Sequence, residues 1–94
     1  MAALGTRLEG KVAIITGAGQ GIGAAIAQLY AAEGAKVLIA GRTQEKLEEV
    51  AGKITAAGGT CTPLMALAGE RDQSEATVAR AAKDWGRVDI LVNN

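Results

Sequence analysis

Histidine and phenylalanine are absent from this 94-residue sequence, and cysteine, proline, tyrosine and tryptophan occur once each. Without histidine, and with Cys61 alone, the chain lacks the donor set for a zinc or transition-metal centre. The same lack removes the usual activator of a nucleophile, so Cys61 reads as a structural thiol. A lone cysteine also forbids an internal disulfide and suits a reducing compartment. Ten basic and ten acidic side chains cancel. They are scattered rather than striped, which argues against nucleic-acid or membrane-surface partners. No apolar run approaches transmembrane length, and residues 1–7 lack the apolar core of a secretory signal. A soluble, cytoplasmic protein is therefore expected, with one small domain at most.

Glycine, by contrast, is abundant, and its 13 copies punctuate the apolar runs. Those runs alternate between strand and helix character. Residues 11–16 read as a buried strand and residues 22–33 as a helix stopped by Gly34, with Ile22, Ile26, Leu29 and Tyr30 along one side. Residues 36–40 form a second apolar strand. Thr43 then stands as N-cap of a helix in which Leu47, Val50, Ala51 and Ile54 share a face, ended by Gly58-Gly59. Residues 60–67 read as a third strand. They contain Pro63, which cannot donate to a ladder and so belongs on a sheet edge. Asp72 with Glu75 resembles a capping box opening a helix over residues 73–85, closed by Gly86. Residues 88–93 complete the series as a fourth strand.

Strand–helix alternation with apolar strands predicts an α/β fold, a doubly wound parallel sheet with helices on both faces. The order 3-2-1-4 places Pro63 on the edge strand and gives a Rossmann-type sheet, incomplete after its fourth strand. Right-handed crossovers put the first two helices on one face and the third on the other. The fourth strand is then an open edge, available for self-association.

The segment Thr16-Gly17-Ala18-Gly19-Gln20-Gly21-Ile22-Gly23 joins the first strand to the first helix. Gly17 suits a turn that side chains penalise, Gly21 would let a pyrophosphate approach the backbone, and Gly23 would let the helix pack on the sheet. The free N–H groups and positive dipole end of the helix favour phosphate. No Lys-Ser or Lys-Thr follows, so the loop is not a Walker A element. Taken alone, the glycines are also compatible with an ordinary turn at a helix start. The strand before them and the helix after them favour a dinucleotide site.

With Asp89-Ile90-Leu91-Val92-Asn93-Asn94, this loop resembles the N-terminal, cofactor-binding part of a classical short-chain dehydrogenase/reductase, from Leu8 onward. The resemblance implies a truncated coenzyme-binding segment spanning residues 1–94, whose intact relatives transfer hydride between NAD(P) and a carbonyl or alcohol. It implies coenzyme contacts at Gly17, Gln20, Gly21, Ile22, Gly23, Arg42, Thr43 and Asn94, and a brace from Thr16 to the Asn93-Asn94 segment. At the end of the second strand Gly41 occupies the position of the ribose-binding carboxylate. Arg42 and Thr43 follow it, which favours NADP, with NAD as the alternative. Against this, Arg42 can be read as a solvated loop residue and Thr43 as a helix cap alone, and Gln20 is not the basic residue that NADP-dependent relatives often carry. Leu67 and Ala68 stand where relatives often have an adenine-contacting Asp-Val.

The family's Tyr-x-x-x-Lys has no counterpart, because the one tyrosine, Tyr30, is followed four residues later by Gly34. No catalytic residue is assigned, and the chain alone is expected to be inactive. Asp72, Glu75, Asp84 and Asp89 fall at element ends, where capping and solvation account for them. The alternative is a free-standing nucleotide-binding or interaction module without enzymatic activity. A nucleotide-sugar epimerase relative fits the glycine spacing less well.

Overall fold

The computed structural model describes residues 7–19, 21–65 and 70–93, with residues 70–74 and 93 by backbone alone. The elements run β1 (Val12–Thr16), α1 (Gly21–Ala32), β2 (Lys36–Gly41), α2 (Gln44–Ala56), β3 (Thr60–Met65), α3 (Glu70–Trp85) and β4 (Ile90–Asn93). All four strands are parallel, in the order β3-β2-β1-β4. This is the expected doubly wound α/β topology. Pro63 lies on edge strand β3, in register with Ile39 of β2. A proline tolerated at the edge thus fixes which side of β2 the third strand takes.

Because successive strand side chains point to opposite faces, β1 and β2 feed two cores. Ile15, Val37 and Ile39 join Leu47, Val50, Ala51 and Ile54 of α2 and the alanines of α1. Val12, Ile14 and Leu38 point the other way and meet Ala81, Trp85 and Val88. Hence α1 and α2 cover one face and α3 the other. Both central strands are buried on both sides, the condition under which a parallel sheet is stable.

The buried side of α1 differs from the expected one. Gly23, Ala24, Ala27 and Ala31 face the sheet, whereas Ile22 is 72% and Leu29 53% exposed. Ile26 and Tyr30 only flank the core. Two stripes of this helix are apolar, and the one with small side chains wins because it lets the helix axis approach the strands. The alanine stripe also lets the turn after α2 come close: a Cβ on Gly59 there would stand 3.2 Å from Ala31 Cβ and 2.8 Å from Ile54 Cγ2. Ala27→Leu is accordingly expected to cost about 1–3 kcal/mol by overpacking. Leu29→Ala, on the solvent side, should stay within about 0.5 kcal/mol of the parent in chemical denaturation.

Element ends differ by a few residues elsewhere. Helix α3 begins at Glu70 rather than residue 73, so Asp72 lies in its first turn and the Asp72–Glu75 pair is not its cap. An acidic residue three before a glutamate also recurs inside charged helices, which is how the pattern misleads. Strand β2 extends one residue further, to Gly41, because that residue registers with Met65. Strands β1 and β4 start at Val12 and Ile90, later than read from the sequence. Strand β3 ends at Met65, and residues 66–67 of the expected strand lie outside the described residues.

Candidate functional site

The end of β1 and the start of α1 bring the glycine loop to the carboxyl edge of the sheet, where ligands of open α/β sheets bind. Thr16 closes β1, is buried, and donates its hydroxyl to the Val92 carbonyl at 3.3 Å. The expected brace therefore reaches β4 at Val92, beside Asn93, with which Thr16 is in register. On the other side the Ala18 amide donates to the Ala40 carbonyl at 3.1 Å. The loop is thus tied to the strand on each side of β1.

Gly17 and Gly21 take left-handed backbone angles, φ 63° and φ 62°, which any side chain would oppose. No atom lies within 4 Å of where a Gly21 Cβ would point. That open space borders the N-terminus of a 12-residue helix with no acidic residue in its first turn. First-turn N–H groups without intrahelical partners, a positive dipole end and no acidic residue in the first turn suit phosphate. Gly23 is buried against the sheet, while Ile22 projects outward. Gln20 and Asn94 lie outside the described residues, as do Leu67 and Ala68.

At the end of β2, Gly41 is buried and lies close against Leu47. A Cβ there would stand 3.2 Å from Leu47 Cδ2 and 3.8 Å from the Gly19 amide nitrogen. Arg42 follows, exposed, and makes no ion pair or hydrogen bond among the described residues. Thr43 holds the N-cap position of α2 with extended backbone, and its carbonyl accepts from the Leu47 amide at 3.1 Å. Its side chain makes no capping bond, which departs from the cap read from the sequence. The hydroxyl is not committed to the helix.

Two cavities flank α1 and α2. The larger, about 510 Å³, runs between the two helices from Gly21 past Leu29 and Ile54 to Gly58 and Gly59. The smaller, about 320 Å³, opens beside Gly19 and Gly21.

Sequence reasoning missed the part played by Asp89. Its Oδ2 accepts from the Val12 amide at 2.8 Å, and its own amide donates to the Val12 carbonyl at 2.9 Å. Its Oδ1 accepts from Arg87 Nη2 at 2.6 Å. Asp89 thereby stitches the foot of β1 to β4 and sets the register that carries Val92 to Thr16. Its signal was the Arg87-x-Asp89 spacing directly before an apolar strand. The Arg87 hydrogen bond, then that of the Val12 amide, holds its carboxyl below the ordinary carboxylate value. A depressed folded pKa contributes stability above the unfolded value of about 3.9, and that contribution is lost as pH falls through the folded value. Asp89→Asn is expected to melt earlier than the parent at pH 7, with the gap closing towards pH 3.

Cys61, half-buried in β3, has its thiol pushed up to about 12 by burial. It stays protonated at neutral pH and is a poor nucleophile. Tyr30 flanks the core, and Arg80 holds Asp84 across one helical turn at 2.8 Å. Among the described residues no helix is long and apolar enough to cross a membrane.

Comparison with known proteins agrees with this geometry. An uncharacterized oxidoreductase of Mycobacterium tuberculosis is 44% identical over 88 residues, 94% of this chain and 34% of that protein. The citronellol catabolism dehydrogenase of Pseudomonas aeruginosa PAO1 superposes with a TM-score of 0.88 at 36% identity, over 97% of this chain and 38% of that one. A metagenomic short-chain oxidoreductase in complex with NADP superposes with a TM-score of 0.84 at 41% identity, over 93% of this chain and 39% of that one. The chain thus spans little more than a third of the length of such relatives. Residues 11–94 match the short chain dehydrogenase family, and the chain belongs to that family of NAD(P)-binding oxidoreductases.

Proposed function

We propose that this chain is the NADP(H)-binding portion of a short-chain oxidoreductase, whose longer relatives transfer hydride between coenzyme and a carbonyl or alcohol. The observation that carries this reading is the end of β2. Gly41 offers no carboxylate to a ribose there, and a Cβ at this position would stand 3.2 Å from Leu47 Cδ2. Arg42 stands exposed directly after it, and a guanidinium suits the 2′-phosphate that separates NADP from NAD. The Thr43 hydroxyl, unused by the helix, adds a donor. The metagenomic relative in complex with NADP supports the same choice.

Gly17, Gly21, Ile22 and Gly23 serve as the pyrophosphate seat in this reading, with Gln20 and Asn94 completing the contacts. The coenzyme, when bound, supplies the hydride donor or acceptor; this chain's residues hold and orient it. The proton-transfer residues of the family have no counterpart in this stretch, which the reading assigns to coenzyme binding alone. The outer edge of β4, where Leu91 is 45% exposed, pairs with no described strand. We read it as the edge through which the chain associates. A cytoplasmic setting fits the single reduced cysteine.

Calorimetric titration of the protein with NADP and with NAD tests the assignment. NADP is expected to bind at least about tenfold tighter, a difference of roughly 1.4 kcal/mol. Equal or tighter binding of NAD would overturn it.

A further inference from the structure

We propose that Leu47 is a positioning residue for the coenzyme, whose buried side chain sets the gap between the glycine loop and the end of β2. That gap fixes how far Arg42 stands from the pyrophosphate seat. The proposal rests on the NADP reading above. Leu47 lies in the first turn of α2, which starts at Gln44, yet its side chain is fully buried. It belongs to the core cluster that holds Ile15, Ala18 and Ile39, a cluster fed by β1, the loop and β2 at once.

A Cβ on Gly41 would stand 3.2 Å from Leu47 Cδ2 and 3.7 Å from its Cγ, and a Cβ on Gly19 would stand 3.9 Å from the same Cδ2. One methyl group thus lies beside both glycines. Just before them, the Ala18 amide donates to the Ala40 carbonyl at 3.1 Å. The hydrogen bond draws the loop and the strand end together, and the leucine methyl beyond it limits how close they come. The loop leads into α1 at Gly21, and β2 ends at Gly41, directly before Arg42. Being buried, Leu47 acts through these two backbones and not by touching the coenzyme. Only a ribose separates the pyrophosphate of NADP from its 2′-phosphate, so there is little slack between the seat and Arg42. A charge-assisted hydrogen bond weakens steeply with distance and angle. A small shift of one arm therefore costs the contact at Arg42 while the seat keeps its own.

NADP and NAD are titrated calorimetrically into the parent, Leu47→Val, Leu47→Ile and Leu47→Met proteins, with circular dichroism fixing the folded fraction of each. Leu47→Val shortens the side chain, and Leu47→Ile keeps its volume but moves the branch to the β-carbon. Both are expected to lower the preference for NADP over NAD roughly fivefold, with NAD affinity within about twofold of the parent. Leu47→Met, unbranched, as long as leucine and able to adapt to a gap, should keep most of the preference. In an Arg42→Ala background the Leu47 changes should leave the ratio of the two affinities unmoved, because both residues act on one contact. A leucine that only stabilises the core would lower both coenzymes in proportion to the folded fraction. A ratio in Leu47→Ile within about twofold of the parent, or a further fall in the Arg42→Ala background, would therefore overturn the role of Leu47. Isoleucine decides the matter if the valine protein does not fold. A parent protein that binds NAD as tightly as NADP would instead overturn the NADP reading itself.

Discussion

Gly21→Val is expected to weaken NADP and NAD alike by about a hundredfold or more while the protein remains folded. Two effects act at this position. The backbone has φ 62°, a conformation that costs a side-chain-bearing residue about 1–2 kcal/mol, and a β-branched residue more. The space beside the α-carbon is open, and a valine would fill the cradle at the helix N-terminus. Strain alone would lower stability and leave the affinity of the folded fraction intact, so separate measurements of the two distinguish strain from occlusion. Gly52→Ala provides the contrast. Gly52 lies inside α2 with no atom within 4 Å of its would-be Cβ. That replacement should stabilise by about 0.5–1 kcal/mol and leave coenzyme binding unchanged. Coenzyme affinity in Gly21→Val within threefold of the parent would remove the glycine loop from the binding site.

Arg42→Ala is expected to lose NADP affinity roughly ten- to a hundredfold and to keep NAD affinity within about twofold. Selectivity is the diagnostic quantity, because Arg42 is exposed and lies outside both cores, so its removal should barely move the melting temperature. The preference for NADP should fall with added salt in the parent and become nearly salt-independent in the variant. Installing the missing carboxylate by Gly41→Asp is a poorer route to NAD preference. Leu47 Cδ2 stands 3.2 Å from the new Cβ, so the leucine side chain must shift by a few tenths of an ångström to admit an aspartate. An Arg42→Ala protein that binds NADP as tightly as the parent would overturn the role of Arg42.

The topology and the glycine loop could be read from the sequence because each rests on local chemistry. A proline that cannot donate identifies the edge strand, and glycines at fixed spacing identify a turn that only they adopt. Helix packing was less legible. In α1 the stripe holding Ile22 and Leu29 is the more hydrophobic, yet the alanine stripe is buried. Closeness of approach, a property of the facing strands, outweighs side-chain hydrophobicity there. The capping pattern at Asp72 misled for a related reason, since it names a start that the surrounding helix overruns. Asp89 was read as an element-end carboxylate, and its cross-strand role was missed because its partner, Val12, is 77 residues away.

The Thr16–Val92 hydrogen bond joins residues 76 apart in sequence, and this separation bears on the order of assembly. β1 and β2 pair across a single short crossover, whereas β4 reaches β1 only after the whole β2-α2-β3-α3 span has been laid down. Loop-closure entropy makes that junction a late event in folding. The loop formed early in the chain is therefore braced late, once β4 has paired with β1. A nucleotide that favours the rigid loop will consequently favour the closed β1–β4 junction and slow its opening. Ligand occupancy and protection of the β4 amides from hydrogen exchange are two readings of one equilibrium.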